Sequence, residues 1–226
     1  MGSDISKDGC FHYPTMDRRN LSTLRNYLCN YKPPVGCGDC INILLFGMVG
    51  AGKSSIINTF LSALDPQGTI ITCVPTGTDP WSLTKQLRSF NPDVDFANYP
   101  VIPENVIHGV AFVFDISTMD SISDDKMEEF QELQTIVVQK YVHRVVIGTK
   151  FELLGIPEKD NAWIYEYKPL QWKFELLAER TGIEKRSMFV VSNQWRGDQI
   201  EMIKCILALY VLDNMVRNID RFLRAV

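Results

Sequence analysis

The sequence predicts an α/β domain of three layers, with a mostly parallel sheet flanked by helices. Three observations carry this. Apolar runs of strand length (Ile41–Phe46, Gly109–Phe114, Arg144–Gly148 and Met188–Val191) alternate with stretches whose apolar residues recur at helical spacing. Parallel strands need a crossover between them, so this alternation reads as βαβ units rather than hairpins. The first strand runs straight into a glycine-rich loop and then a helix, an order that places functional loops at the carboxyl ends of strands. Finally, 46% hydrophobic and 22% charged residues over 226 positions suit one globular domain with a full core.

Two regions follow: residues 1–38, an N-terminal arm and short helix, and 39–226, the main domain. Residues 1 to about 15 are polar and aperiodic. Leu21, Leu24 and Leu28 predict an amphipathic helix over about 17–30, stopped by Pro33 and Pro34. The unbroken apolar character of Ile41–Phe46 suits a central strand covered on both faces. A helix from Lys53 to Ala63 turns Ile56, Ile57, Phe60 and Leu61 inward. Between 64 and 108 the pattern weakens: Ser82–Phe90 reads as an edge strand, and Asn91–Asn105, with three prolines, as irregular. Gly109–Phe114 is a second buried strand. The helix over Asp124–Tyr141 presents Met127, Phe130, Leu133, Val137 and Tyr141. After the third strand comes a helix over Leu170–Arg180, then the fourth strand. A last amphipathic helix, 197–224, carries Ile203, Leu207, Val211, Met215, Ile219 and Phe222. Trp81, Trp163, Trp172 and Trp195 read as packing residues.

The net charge of −4 argues against nucleic-acid binding, which favours a basic excess. No apolar run approaches the roughly 20 residues of a membrane span. The six irregularly spaced cysteines suit reduced thiols in a cytoplasmic protein. Cys37 and Cys40, two apart, lack the further ligands of a zinc site and precede a strand, so they read as part of a loop. Met1-Gly2-Ser3-Asp4-Ile5-Ser6 matches the N-myristoylation pattern at Gly2, with Cys10 nearby as a second acylation point. Membrane contact is expected only if Gly2 is acylated, because one chain holds a membrane marginally.

The segment Gly47-Met48-Val49-Gly50-Ala51-Gly52-Lys53-Ser54 satisfies G-x-x-x-x-G-K-[ST] in full. Each residue type has a reason. Glycines let the backbone curl so that successive N–H groups converge on phosphate oxygens. The helix N-terminus adds partial positive charge there, and Lys53 a full one. The Ser54 hydroxyl is a donor oxygen for Mg²⁺. The phosphate-binding set is Gly47, Val49, Gly50, Ala51, Gly52, Lys53, Ser54 and Ser55. A strand before the pattern and an amphipathic helix after it are the context that this motif requires.

Beyond the loop, the order of motifs resembles a GTPase-like G domain of the P-loop NTPase class. Val113–Ser117 resembles the strand that ends in aspartate and a hydroxyl residue. Thr149-Lys150-Phe151-Glu152 stands where such domains carry N/T-K-x-D, and Ser192-Asn193 where they carry a second base loop. The resemblance implies base contacts from Thr149, Lys150, Glu152, Ser192 and Asn193. A carboxylate accepts the guanine N1–H and amine together, a pair that adenine does not offer. Here that acid is Glu152, one methylene longer than the usual aspartate.

The match tightens at one family. Asn30-Tyr31-Lys32-Pro33, the stretch Ile41–Ser55, the stretch Ile107–Ser117 and Val190-Val191-Ser192-Asn193 together resemble interferon-induced protein 44 and its 44-like relatives, in the same order over about 20–225. This implies a cytoplasmic domain that binds GTP or GDP with Mg²⁺, linked to antiviral or immune response. An unidentified protein partner is a further expectation. Longer members of that family also carry a TLDc domain. One departure stands out: G domains carry a strand ending in D-x-x-G, and no such element occurs between Thr78 and Val110. Asp79, Asp93 and Asp95 lack the strand and the glycine. Thr76, with Thr78 beside it, is the remaining hydroxyl to join Ser54 at Mg²⁺, and no Gln or Arg is placed to assist hydrolysis. The expectation is binding with weak or absent turnover. Two alternatives stay open: a non-catalytic interaction module with a vestigial site, and an ATP-using enzyme with Asp115 as a Walker-B acid.

Overall fold

The computed structural model describes residues 14–35, 40–75, 106–156, 163–193 and 201–225. Gly2, Cys10, Cys37, Thr76, Thr78, Asp79, Trp81, Asp93, Asp95, Trp195 and the expected strand Ser82–Phe90 lie outside them. The regular elements in chain order are α1 (Arg18–Asn30), β1 (Ile43–Gly47), α2 (Lys53–Leu64), β2 (Gly109–Asp115), α3 (Asp124–Gln139), β3 (His143–Thr149), α4 (Lys168–Thr181), β4 (Met188–Val191) and α5 (Met202–Leu223). Asp17 starts α1 by accepting the Asn20 N–H at 2.7 Å, which satisfies one of the orphan donors of the first turn. Pro169 stands in the first turn of α4, where its missing N–H is not needed, and Gly182 ends that helix in the left-handed region.

The four strands are all parallel and lie in the order β1-β2-β3-β4. Their side chains alternate between two cores. On one face Val110, Phe112 and Phe114 meet Met127 and Phe130 of α3 and Leu170, Phe174 and Leu177 of α4. On the other, the smaller Ala111, Val113, Val145 and Ile147 lie under α1, α2 and α5. Phe112 is fully buried and edge-on to Phe130 at 4.5 Å between ring centres. Burying such a ring stabilises the fold by roughly 1.5–3 kcal/mol.

The register sets the strand ends level. Gly47 pairs with Val113, Asp115 with Thr149, and Thr149 with Val191, so the loops after all four strands open on one side. The helix after β1 covers one face, while those after β2 and β3 cover the other. Where covering helices change face, the loops at the carboxyl ends part and leave a crevice. The glycine-rich loop sits there.

Several details differ from the sequence reading. β1 is half-buried rather than fully covered, because among the described residues it pairs only with β2. Ile57 is 36% exposed and Phe222 47%, each on the outer flank of its helix. Tyr141 lies past the end of α3 with φ of 54° and is 78% exposed. Trp163 and Trp172 are 65% and 55% exposed, so they are not core residues. Cys29, Cys40 and Cys73 are free and exposed, and Cys205 is free and buried. No helix among the described residues is long and apolar enough to cross a membrane.

Candidate functional site

The loop between β1 and α2 is shaped by its glycines. Gly50 and Gly52 have φ of 82° and 92°, the left-handed region that glycine enters without a Cβ penalty. Gly47 has a different reason: a Cβ there would stand 2.2 Å from the Val113 carbonyl oxygen, so only glycine lets the chain leave the sheet against β2. Gly52 is the N-cap of α2 and offers no side-chain cap. The first bond of the helix is Ile56 N–H to Gly52 O at 2.9 Å. The N–H groups of residues 53–55 therefore have no intrahelical acceptor and open at the positive end of the helix dipole. Lys53 reaches back over the loop, where its Nζ donates to Gly47 O and Met48 O, each at 2.8 Å. Ser54 and Ser55 follow in the first turn, partly buried. Val49 is exposed at the loop tip and Ala51 is buried beneath it.

The loops after β3 and β4 come up beside this one. Thr149 is fully buried; its hydroxyl lies 2.7 Å from Ala51 O and 3.2 Å from Phe114 O. Lys150, at φ 58° and ψ 28°, begins the turn Phe151–Leu154. Its Nζ forms an ion pair with Asp115 Oδ2 at 2.7 Å. Asp115 also accepts from the Ser117 hydroxyl at 2.5 Å and the Ser117 N–H at 3.1 Å. Burial works against ionisation of Asp115, but the bonds from Lys150 and Ser117 and the lysine charge hold its carboxyl below the usual range.

Glu152 is in the opposite state. Its Oε2 is buried and has no hydrogen-bond partner among the described residues. Burial is the main cause that raises its pKa, with Lys204 and Lys150 opposing and Asp115 adding to the rise. Ser192 is buried just past β4. Asn193 beside it does not point outward: its amide lies against Gly52 and Thr59. Thus Gly47, Gly50, Gly52, Lys53, Thr149, Glu152 and Asn193 lie at one end of the sheet, while Thr76 is outside the described residues.

The sequence reading missed the polar face of α2. Asn58 pairs with Val74 as a strand would, donating to Val74 O at 2.8 Å and accepting from Val74 N–H at 2.9 Å. Ser62 accepts the Ile71 N–H at 2.7 Å. Together they fasten the chain leading toward Thr76 onto the helix that carries Lys53 and Ser54. The available signal was the polar trio Asn58, Thr59 and Ser62 interleaved with the apolar Ile56, Phe60 and Ala63.

No protein-family profile matches the chain. Interferon-induced protein 44 of Mus musculus is 24% identical over 254 residues, an alignment covering 89% of this chain and 60% of that protein. The Homo sapiens protein of the same name is 24% identical over 258 residues, covering 90% and 56%. The chain therefore spans less than two thirds of the length of these curated relatives. The mouse alignment is longer than the 226 residues present here, so that protein has stretches with no counterpart in this one. Among solved structures, a probable GTP-binding protein, engB, aligns with a TM-score of 0.47 and 15% identity, over 80% of this chain and 98% of that one. Along about nine tenths of its length, this chain is similar to interferon-induced protein 44, consistent with the family resemblance read from its motifs.

Proposed function

We propose that this chain binds guanine nucleotide, GTP or GDP with Mg²⁺, and hydrolyses it weakly or not at all. One observation carries the reading: Gly50 and Gly52 turn the loop so that Lys53 and the open N–H groups of α2 share one end of the sheet. Gly47, Val49, Gly50, Ala51, Gly52, Lys53, Ser54 and Ser55 would hold the phosphates. The Ser54 hydroxyl fits Mg²⁺, which takes one or two protein oxygens and completes its shell with phosphate and water; Thr76 would be the second. The buried Oε2 of Glu152, lacking a donor among the described residues, fits the paired N–H groups of guanine. Thr149, Lys150 and Ser192 would complete the base side, with Asn193 next to Ser192 in the same loop. The absence of D-x-x-G between Thr78 and Val110 supports slow turnover. The similarity to interferon-induced protein 44 supports a part in an interferon-linked antiviral or immune response; a cytoplasmic location and an unidentified protein partner belong to the same proposal. Gly2 would be the lipidation point if the chain meets a membrane.

A second reading, a G-like interaction module with a vestigial site, is favoured by the ion pair that ties the Lys150 ammonium to Asp115. The same pair weighs against Asp115 as a Walker-B acid, since its carboxylate is already engaged.

Thermal unfolding with Mg²⁺ and GDP, GTP, ATP or no nucleotide tests the proposal. A ligand at about 100 times its Kd should add about 2.7 kcal/mol of stability. Guanine nucleotides should stabilise the wild type, ATP should not, and Lys53→Ala should lose the effect. No stabilisation by any nucleotide would support the vestigial reading, and preference for ATP an adenine-using one.

A further inference from the structure

We propose that Asn193 is a positioning residue for the phosphate loop and not a reader of the base; this rests on the nucleotide-binding reading above. Asn193 stands two residues past β4, and both ends of its amide are engaged. Its Oδ1 lies 3.0 Å from the Thr59 hydroxyl, whose single hydrogen is shared with Ser55 O at 2.8 Å. Its Nδ2 lies 3.4 Å from Gly52 O, a long hydrogen bond. The seat is tight: a Cβ on Gly52 would come within 2.9 Å of that nitrogen. Glycine at 52 is required by its φ of 92°, and a Cβ there would also push the Asn193 amide out of its seat.

The consequence follows from peptide geometry. In a trans peptide the carbonyl and the following N–H point in opposite directions. Drawing Gly52 O toward Asn193 and Ile56 turns the N–H of Lys53 the other way, to the open side of the loop. Thr149 does the same one peptide earlier: its hydroxyl holds Ala51 O at 2.7 Å and so directs the N–H of Gly52. Two successive donors are therefore aimed from behind, one by the last residue of β3 and one by the loop after β4. Asn193 belongs to the phosphate site although it sits in the loop expected to contact the base.

The experiment separates the two roles. A fluorescent guanine nucleotide is displaced by GDP, ADP or pyrophosphate, each with Mg²⁺, from wild type and from Asn193→Ala. A positioning residue predicts the same loss for all three competitors, about three- to tenfold, with the GDP-over-ADP preference unchanged. A loss confined to GDP, or no loss, overturns the proposal. Failure of GDP to displace the probe from wild type would instead overturn the nucleotide reading. Thr59→Val leaves Asn193 in place but removes its donor, and serves if Asn193→Ala does not fold. It should weaken all three competitors alike and, where Asn193→Ala folds, combine non-additively with it. Wild-type affinities in Thr59→Val, or simple additivity, overturn the brace.

Discussion

At the scale of single residues, the ionisable groups at the two ends of the sheet pull stability in opposite directions. His143 begins β3, at the end away from the phosphate loop, and its Nε2 is buried without a partner among the described residues. Burial first, and the charge of Arg144 second, push its imidazole down to about 4. The neutral form is the folded one, so His143 contributes stability that is complete above its ordinary 6.5 and is lost as pH falls toward 4. The loss should be on the order of 2 kcal/mol. Urea unfolding at pH 6.5 and pH 4.5 should show a steeper decline for wild type than for His143→Gln, and equal declines would refute this assignment. Glu152 acts with the other sign. Its raised pKa gives a contribution that is full at acid pH and drains as pH rises through the raised value. The protein is thus less stable near neutrality than it would be with a neutral amide at 152, the cost of holding a carboxyl in a buried place.

Elements show what spacing reveals and what it hides. The strands and helices were legible because each announces itself locally: a run for β2, a period for α3, a loop pattern for Gly47–Ser54. Tyr141 was misplaced because a helical period continues on paper past the turn where the backbone reverses. Trp163 and Trp172 were misread because large apolar area is evidence about what burial would gain and not about whether a partner exists. The engagement of Asn193 with Gly52, 141 positions away in sequence, is not legible in the sequence because it arises only once the sheet has brought the two loops together. The docking of α1 belongs here too. Leu24 is buried under α5, and around it Arg217 lies 3.9 Å over the Tyr27 ring while Tyr31 donates to Asp220 at 2.9 Å. Arg25 also donates to Ala63 O, near the end of α2, at 2.7 Å. Leu24→Ala should therefore lower stability by about 2–4 kcal/mol. A shift of less than about 1 kcal/mol in the urea-derived value would mean that α1 is only loosely attached.

The whole molecule is one sheet between unequal partners: α3 and α4 on one face, and α1, α2 and α5 on the other. That second face explains why the phosphate loop depends on distant sequence. α2, which carries Lys53 and Ser54, packs against α5, and α5 also covers β3 and β4. A chain ending at Asn193 keeps every residue proposed to touch nucleotide, yet it should show neither cooperative urea unfolding nor GDP binding. Retention of either would show that the site is autonomous.

The position of α5 also bears on how the protein is born. Strands β1 to β4 neighbour one another in the order in which a ribosome releases them, so each has a docking edge waiting. The covering of Ile56, Phe60 and Ala63 has no such timing, because Leu209, Val211 and Met215 are made about 150 residues later. At about 5–20 residues per second the apolar side of α2 stays uncovered for on the order of ten seconds. During that interval the nascent chain exposes apolar surface of the kind that makes incomplete folds prone to aggregate. Emergence of α5 is then the step that completes the support beneath the glycine-rich loop.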